Sequence, residues 1–351
     1  MFCLLEVSAM RLKALCLSLC IALLLLPGCG KKEATVSDGS ALPQVSAPEL
    51  SENELENAYV DAVELEIPDP QPEMEMIIEA TEAAMPDILE PVASGELVTE
   101  NEKVTIDYSN TTDGYIMVRY NAQTQRRIKV RVTAKTTYTY NLPHDEWAVF
   151  PLSDGNGSYQ FKVFENVSGS QYSLVAATGQ DVVLSDEFAP FIRPNQFVNY
   201  SAASNAVAKA WELTKEIENP LGKVEAVYNF VVKELTYDIE KARTVKSGYI
   251  PVLDNVLEEK KGICFDYAAL MTGMLRSQGI PCKMVFGYTG GAYHAWISVW
   301  TEDTGWVDGV IFFDGVAWQR LDPTFASYDN QSEQIMKYIG NGSNYVEKYF
   351  Y

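Results

Sequence analysis

The stretch Gly262-Ile263-Cys264-Phe265-Asp266-Tyr267-Ala268-Ala269-Leu270 opens a helix-forming run that reaches Ser277, with Gly279 just beyond it and Pro281 after that. Glycine and proline at those places are stop signals, so the spacing predicts a helix over 265–277 with Cys264 at its N-terminus. Unpaired backbone N–H groups and the helix dipole at that position favour a thiolate over a thiol. Gly262 reads as the residue that lets the chain turn tightly into the helix. Ala268, Met271 and Leu275 fall near one face, which is expected to be the buried one, and the small Ala268 and Ala269 permit close packing on a sheet. His294 follows 30 residues after Cys264, in His294-Ala295-Trp296, and Asp322 follows 28 residues later, in Leu321-Asp322-Pro323-Thr324. Cysteine, histidine and carboxylate are the parts of a thiol nucleophile, its base and the group that orients the base.

The flanking segments supply a scaffold for these residues. Residues 202–217 read as one helix ended by Asn219-Pro220, and Pro220 opens a second in which Val224, Val227, Tyr228, Val231 and Val232 recur at helical spacing. Strands are expected at 283–287, 294–300 and 318–322, with a further pair around 306–313. Helices followed by strands imply an α+β domain with an antiparallel sheet. On the His294 strand, Trp296 points to the same side as the histidine, and Ala295, Ile297 and Val299 take the opposite, core side. Trp296 and Tyr293 are the expected shielding or substrate-contacting residues. Asp322 precedes a proline, which holds the chain extended and aims the carboxylate to fix the imidazole tautomer. Asp266, at i+2 from Cys264 on a helix, is expected to face away and to act only as a first-turn dipole partner.

Gly-Ile-Cys-Phe-Asp-Tyr-Ala at 262–268, Gly-Ile-Pro-Cys at 279–282, His-Ala-Trp at 294–296 and Leu-Asp-Pro-Thr at 321–324 together resemble the transglutaminase-like superfamily of papain-like thiol enzymes. Each block is weak alone; the order and separation of all four carry the resemblance, which covers roughly 200–330. It implies Cys264 as nucleophile, His294 as base and Asp322 as third member. Cys282 departs from the alanine common at that place. Each residue also has an ordinary structural explanation: a buried cysteine, a satisfied strand histidine, an Asp-Pro turn. The catalytic reading is the stronger one for the three together, in a chain with only 2 histidines. A zinc site would need paired ligands at close spacing, which are missing, and neither a metal nor a cofactor is implied.

The formal charge of -21 has a local origin: Glu33 to Glu102 holds 19 carboxylates and no Lys or Arg. The rest of the chain is near neutral. No basic patch or aromatic RNA-binding motif appears, which argues against a nucleic-acid partner. Arg11 and Lys13 precede the apolar run 14–26, which ends in Leu26-Pro27-Gly28-Cys29. This pattern is expected for a secretory signal, and resembles a bacterial lipoprotein lipobox with Cys29 as the lipidated residue. The organisation expected is therefore a signal peptide with lipobox over 1–29 and an acidic disordered tether over 30–100. A β-sandwich-like module over 101–190 and a transglutaminase-like catalytic domain over 195–351 follow. The sandwich is read from short strand-like runs at 104–108, 115–120, 127–132, 159–164 and 172–176. Cys264 and Cys282 flank the predicted helix, whose ends lie roughly 20 Å apart against the ~5.5 Å of a disulfide, so both thiols are expected free.

The chain thus reads as a multidomain protein, an N-terminal all-β module followed by an α+β papain-like domain. The expected function is that of an exported, lipid-anchored thiol enzyme facing outside the cytoplasm. It would act on amide bonds of proteins or peptides at the cell surface through a thioester, with hydrolysis favoured. The alternatives are a protein cross-linking transglutaminase and a non-catalytic surface binding or scaffolding protein.

Overall fold

The computed structural model describes residues 84–289, 292–308, 310–313, 318–321, 324 and 344–351. The predicted signal, the lipobox cysteine Cys29, residues 30–83 of the predicted tether and Asp322 lie outside the described residues. Ile78–Tyr351 forms one compact unit.

The predicted tether ends earlier than residue 100. β1 (Val98–Glu100) pairs with β2 (Val104–Asp107). Upstream, the Val92 amide donates to the Tyr115 hydroxyl at 3.1 Å, and Glu90 accepts from the Ala202 amide at 2.9 Å. These are main-chain and end-group contacts, which leave no mark on hydropathy. β3 (Tyr115–Tyr120), β4 (Ile128–Thr133), β5 (Thr137–Leu142), β6 (Trp147–Pro151), β7 (Gly157–Ser168) and β8 (Gln171–Val182) follow. They form two four-stranded antiparallel sheets, ordered β1-β2-β3-β6 and β5-β4-β7-β8. The alternation in β4 holds as expected, with Ile128, Val130 and Val132 buried and Arg131 exposed.

The helices are α1 (Asn205–Thr214), α2 (Pro220–Glu234), α3 (Ile239–Thr244), α4 (Leu253–Glu259) and α5 (Cys264–Arg276). α1 is shorter than its sequence pattern. The Asp254 carboxylate of α4 receives the Asn205 and Ala206 amides at 3.1 and 2.9 Å, so a tertiary partner sets its start. At its end Thr214 turns its hydroxyl back onto the Ala210 carbonyl at 2.8 Å. Instead of burying one face, α5 is buried all round, from Asp266 to Arg276. α1, α2 and α4 pack on it from one side and the sheet from the other.

That sheet comprises β11 (Cys282–Thr289), β12 (Ala292–Thr301), β13 (Gly305–Asp308) and β16 (Tyr345–Phe350), in the order β13-β12-β11-β16 and antiparallel throughout. A short parallel pair, β9 (Thr236–Tyr237) with β10 (Lys261–Gly262), and an antiparallel pair, β14 (Val310–Phe313) with β15 (Trp318–Leu321), complete the described strands. β16 had no counterpart among the predicted strands. It docks on β11 where Gly287 admits it, since a side chain there would run into the Val346 carbonyl and the Trp296 ring. The core is continuous from Val104 in β2 to Tyr351, the residue after β16.

Candidate active site

Cys264 is the first residue of α5. The chain enters the helix extended at Ile263 (φ -99°, ψ 176°), and the Ile263 amide is capped by Asp266 Oδ2 at 2.7 Å. The Cys264 amide has no intramolecular acceptor among the described residues, as expected for a first-turn N–H. Its thiol is free and half-buried. The other thiol among the described residues, Cys282, is also free, fully buried, and pushed up to about 12 by desolvation. That places it among inert core residues.

Gly262 serves the site differently from its sequence reading. Its backbone does not need the left-handed region; instead a Cβ there would sit 2.5 Å from Asp266 Cβ. The glycine makes room for the capping carboxylate.

Asp266 also departs from expectation. It is fully buried, and its carboxylate receives the Tyr249 hydroxyl as well as the Ile263 amide. It pairs with Lys241 Nζ at 2.8 Å, and that ammonium also donates to the Tyr249 hydroxyl at 2.7 Å. Burial works against the charge on Lys241, but the bonds to Asp266 and Tyr249 outweigh it and hold the ammonium above its usual range. Tyr249 is pushed up to about 12 by burial and by its bond to Asp266. Three chain segments are thereby joined: α3, the loop after it, and the turn that presents Cys264. Nothing local in the sequence reveals this; the only hint was a carboxylate in the first turn of a helix that proves to be buried.

His294 lies on β12, opposite Gly287 of β11, and is buried. Its ring stacks on Trp296, with centroids 6.1 Å apart and planes 24° apart. Trp296 is itself buried and packs with Val285, Tyr345 and Phe350. Trp296 is not among the described residues that line the cleft. Ala295, Ile297 and Val299 join the main core on the other side of β12, as the alternation predicts. Tyr293, by contrast, is 56% exposed and lies against Phe286 with centroids 5.7 Å apart. Asp322 is not among the described residues; Thr324, two positions on, is buried.

Cys264, His294 and Tyr293 line one cleft of about 610 Å³. One wall is the loop 245–250 that the Asp266 network anchors. Another is the N-terminal sheet, through Thr137, Thr139 and Asn141 of β5 and Lys129 of β4. The floor is aromatic: Tyr351 packs against Phe197 at 4.7 Å, and Phe265 against Phe286 at 4.9 Å, between ring centroids. Among the described residues no group of three His, Cys, Asp or Glu side chains is arranged to hold a metal ion.

Residues 207–309 match the family model described as the Transglutaminase-like superfamily. That stretch belongs to this superfamily. It contains Cys264 and His294 and stops short of Asp322. The chain is 31% identical over 117 residues to the uncharacterized protein YebA of Bacillus subtilis, covering 28% of this chain and 16% of that one. It is 28% identical over 157 residues to the protein-glutamine gamma-glutamyltransferase of Pseudomonas aeruginosa, covering 40% of this chain and 21% of that one. The matches therefore span only 16% and 21% of the two relatives. Red sea bream transglutaminase aligns over 62% of this chain and 49% of its own, with 12% identity and a TM-score of 0.29.

The transglutaminase-like stretch does not hold the whole cleft. The β5 wall and Tyr351 lie outside it, before and after it in sequence. Residues so far from the motif in sequence carry no signal of their own; only the packing of the sheets brings them to the thiol.

Proposed function

We propose that the chain is a papain-like thiol enzyme that cleaves amide bonds of proteins or peptides, with Cys264 as nucleophile and His294 as base. The supporting observation is a single one: a free cysteine at a helix start and a histidine on a neighbouring strand line the same cleft. His294 takes the thiol proton, and the Cys264 sulfur attacks the amide carbonyl carbon. The carbonyl oxygen becomes an oxyanion, which the unengaged Cys264 amide is suited to receive. The C–N bond then breaks, His294 returns the proton to the leaving nitrogen, and a thioester remains. Water, deprotonated by His294, attacks the thioester and releases the acid and the thiol. Asp322 is assigned to hold the imidazole tautomer.

An amine that attacks in place of water would give a cross-link, the reaction that the name of the Pseudomonas aeruginosa relative describes. Hydrolysis is the preferred outcome, because water is the abundant acceptor at a cell surface. The wider setting is proposed with it: a β-sandwich-like module over 101–190, a catalytic domain over 195–351, export, and a lipid anchor at Cys29 that holds the enzyme at the membrane near protein or peptide substrates.

The test is the rate of Cys264 alkylation by iodoacetamide across pH. An activated thiol titrates below the ordinary cysteine value of about 8.5, and His294→Ala moves that midpoint upward. A normal midpoint unmoved by His294→Ala would refute the assignment. The trapped acyl-enzyme, chased with and without a lysine-like amine, then separates hydrolysis from cross-linking.

A further inference from the structure

Among the described residues β5 is an edge strand, since β4 pairs on one side of it and its sheet ends there. Three hydrogen bonds establish which of its backbone groups point outward. The Ala134 amide donates to the Thr136 carbonyl across the β4–β5 turn at 3.1 Å, which makes the next pair, Thr133 with Thr137, a non-bonded one. The Asn166 amide donates to the Arg127 carbonyl at 2.9 Å, so the odd residues of β4 bond to β7 and its even residues to β5. The Gln196 side chain reaches the Asn141 carbonyl at 2.6 Å from outside the sheet. All three agree: Thr137, Thr139 and Asn141 turn their N–H and C=O groups away from β4. Apart from the Asn141 carbonyl, these groups have no partner among the described residues.

Unpaired edge groups are a template for another strand, and proteins commonly cover or charge such edges. Here Thr137, Thr139 and Asn141 line the cleft that holds Cys264. The cleft also has a charge preference. Lys129 and Lys246 line it, no Asp or Glu does so among the described residues, and neither lysine has an ion-pair partner there.

We propose that the outward edge of β5 binds the substrate main chain as an added strand, so that the cleft takes an extended peptide segment carrying carboxylate side chains. This rests on Cys264 being the nucleophile. Main-chain bonds to Thr139 give affinity without regard to sequence, and Lys129 and Lys246 supply the charge preference. The substrate is then an unfolded or flexible stretch, because a folded strand has no free groups to offer the edge.

Acetyl-tetrapeptide chloromethyl ketones test this without any assumption about hydrolysis or cross-linking. Their methylene carbon bonds to the Cys264 sulfur as the C–Cl bond breaks and chloride leaves. The parent probe carries one Glu among Ala residues. One variant set has a single backbone amide N-methylated at each position in turn, and another carries Lys in place of Glu. Iodoacetamide serves as the probe with no peptide. On the wild-type protein, N-methylation at one position is expected to lower the rate of Cys264 labelling about tenfold, as loss of main-chain hydrogen bonds requires. The Lys probe is expected to react several-fold more slowly than the parent. T139P removes the outward N–H at an edge position where proline is tolerated, and it should bring the parent and N-methylated rates together. If every N-methylated probe labels wild-type Cys264 at the parent rate, the edge-strand proposal fails while the nucleophile stands. If iodoacetamide does not label Cys264 preferentially, the nucleophile assignment and the proposal fail together.

Discussion

Asp266 illustrates what a single side chain can do when burial removes its alternatives. With no access to water, its carboxylate must be satisfied by protein, and Ile263, Tyr249 and Lys241 do so. Removing the cation leaves that carboxylate short of a partner. Lys241→Met should therefore cost about 2 kcal/mol, below the range for fully buried pairs because Lys241 is partly exposed. The pH dependence has a definite sign. The folded state holds Lys241 above its ordinary value of 10.5, so the pair stabilises fully below that value and its contribution is lost as pH rises through the folded pKa. Urea midpoints of the wild type and Lys241→Met should differ at neutral pH and converge above it, in the alkaline range. A gap that persists undiminished at high pH would mean the lysine acts through packing alone.

At the scale of an element, the start of α5 depends on a missing Cβ. Gly262→Ala would place a methyl group 2.5 Å from Asp266 Cβ, and neither backbone nor buried carboxylate can yield easily. The expected cost is about 1–3 kcal/mol in stability. Iodoacetamide labelling of Cys264 should also slow, since the same carboxylate caps the turn that presents the thiol. Differential scanning fluorimetry and the labelling rate measure the two effects on one sample. If both stay at wild-type levels, the close approach has no consequence. The pattern of stop signals was enough to find α5 within one residue at either end, because Gly279 and Pro281 act locally. The start of α1 escaped that logic, because Asp254, its capping residue, is distant in sequence.

Across the whole molecule, one core joins the N-terminal sheets to the helical half. Tyr351 lies edge-on to Tyr138 and Tyr140 of β5, with centroids 5.6 and 5.7 Å away, and Tyr140 meets Phe197 at 5.5 Å. Cutting between them would expose these rings to water. Residues 84–351 should accordingly unfold in a single transition, with near- and far-ultraviolet circular dichroism changing together. A fragment of residues 195–351 alone should lack fixed near-ultraviolet signals. A fragment that folds cooperatively would show that the two halves are independent.

How much was legible depended on the range of the forces involved. The Cys264 helix, the His294 strand, the alternation of β4 and the free state of Cys264 and Cys282 follow from periodicity, stop signals and chain geometry, all of which act within a few residues. The resemblance in four short blocks pointed to the same superfamily that residues 207–309 match. The sequence by itself therefore determined the elements that present Cys264 and His294. Only the tertiary structure decided what surrounds them: Asp266 as an anchor, Trp296 beneath the histidine, β16 on the sheet, and the β5 edge facing the thiol. Those depend on burial and on contacts between residues far apart in the chain. A buried carboxylate or an unpaired strand edge acquires its meaning only from what packs around it.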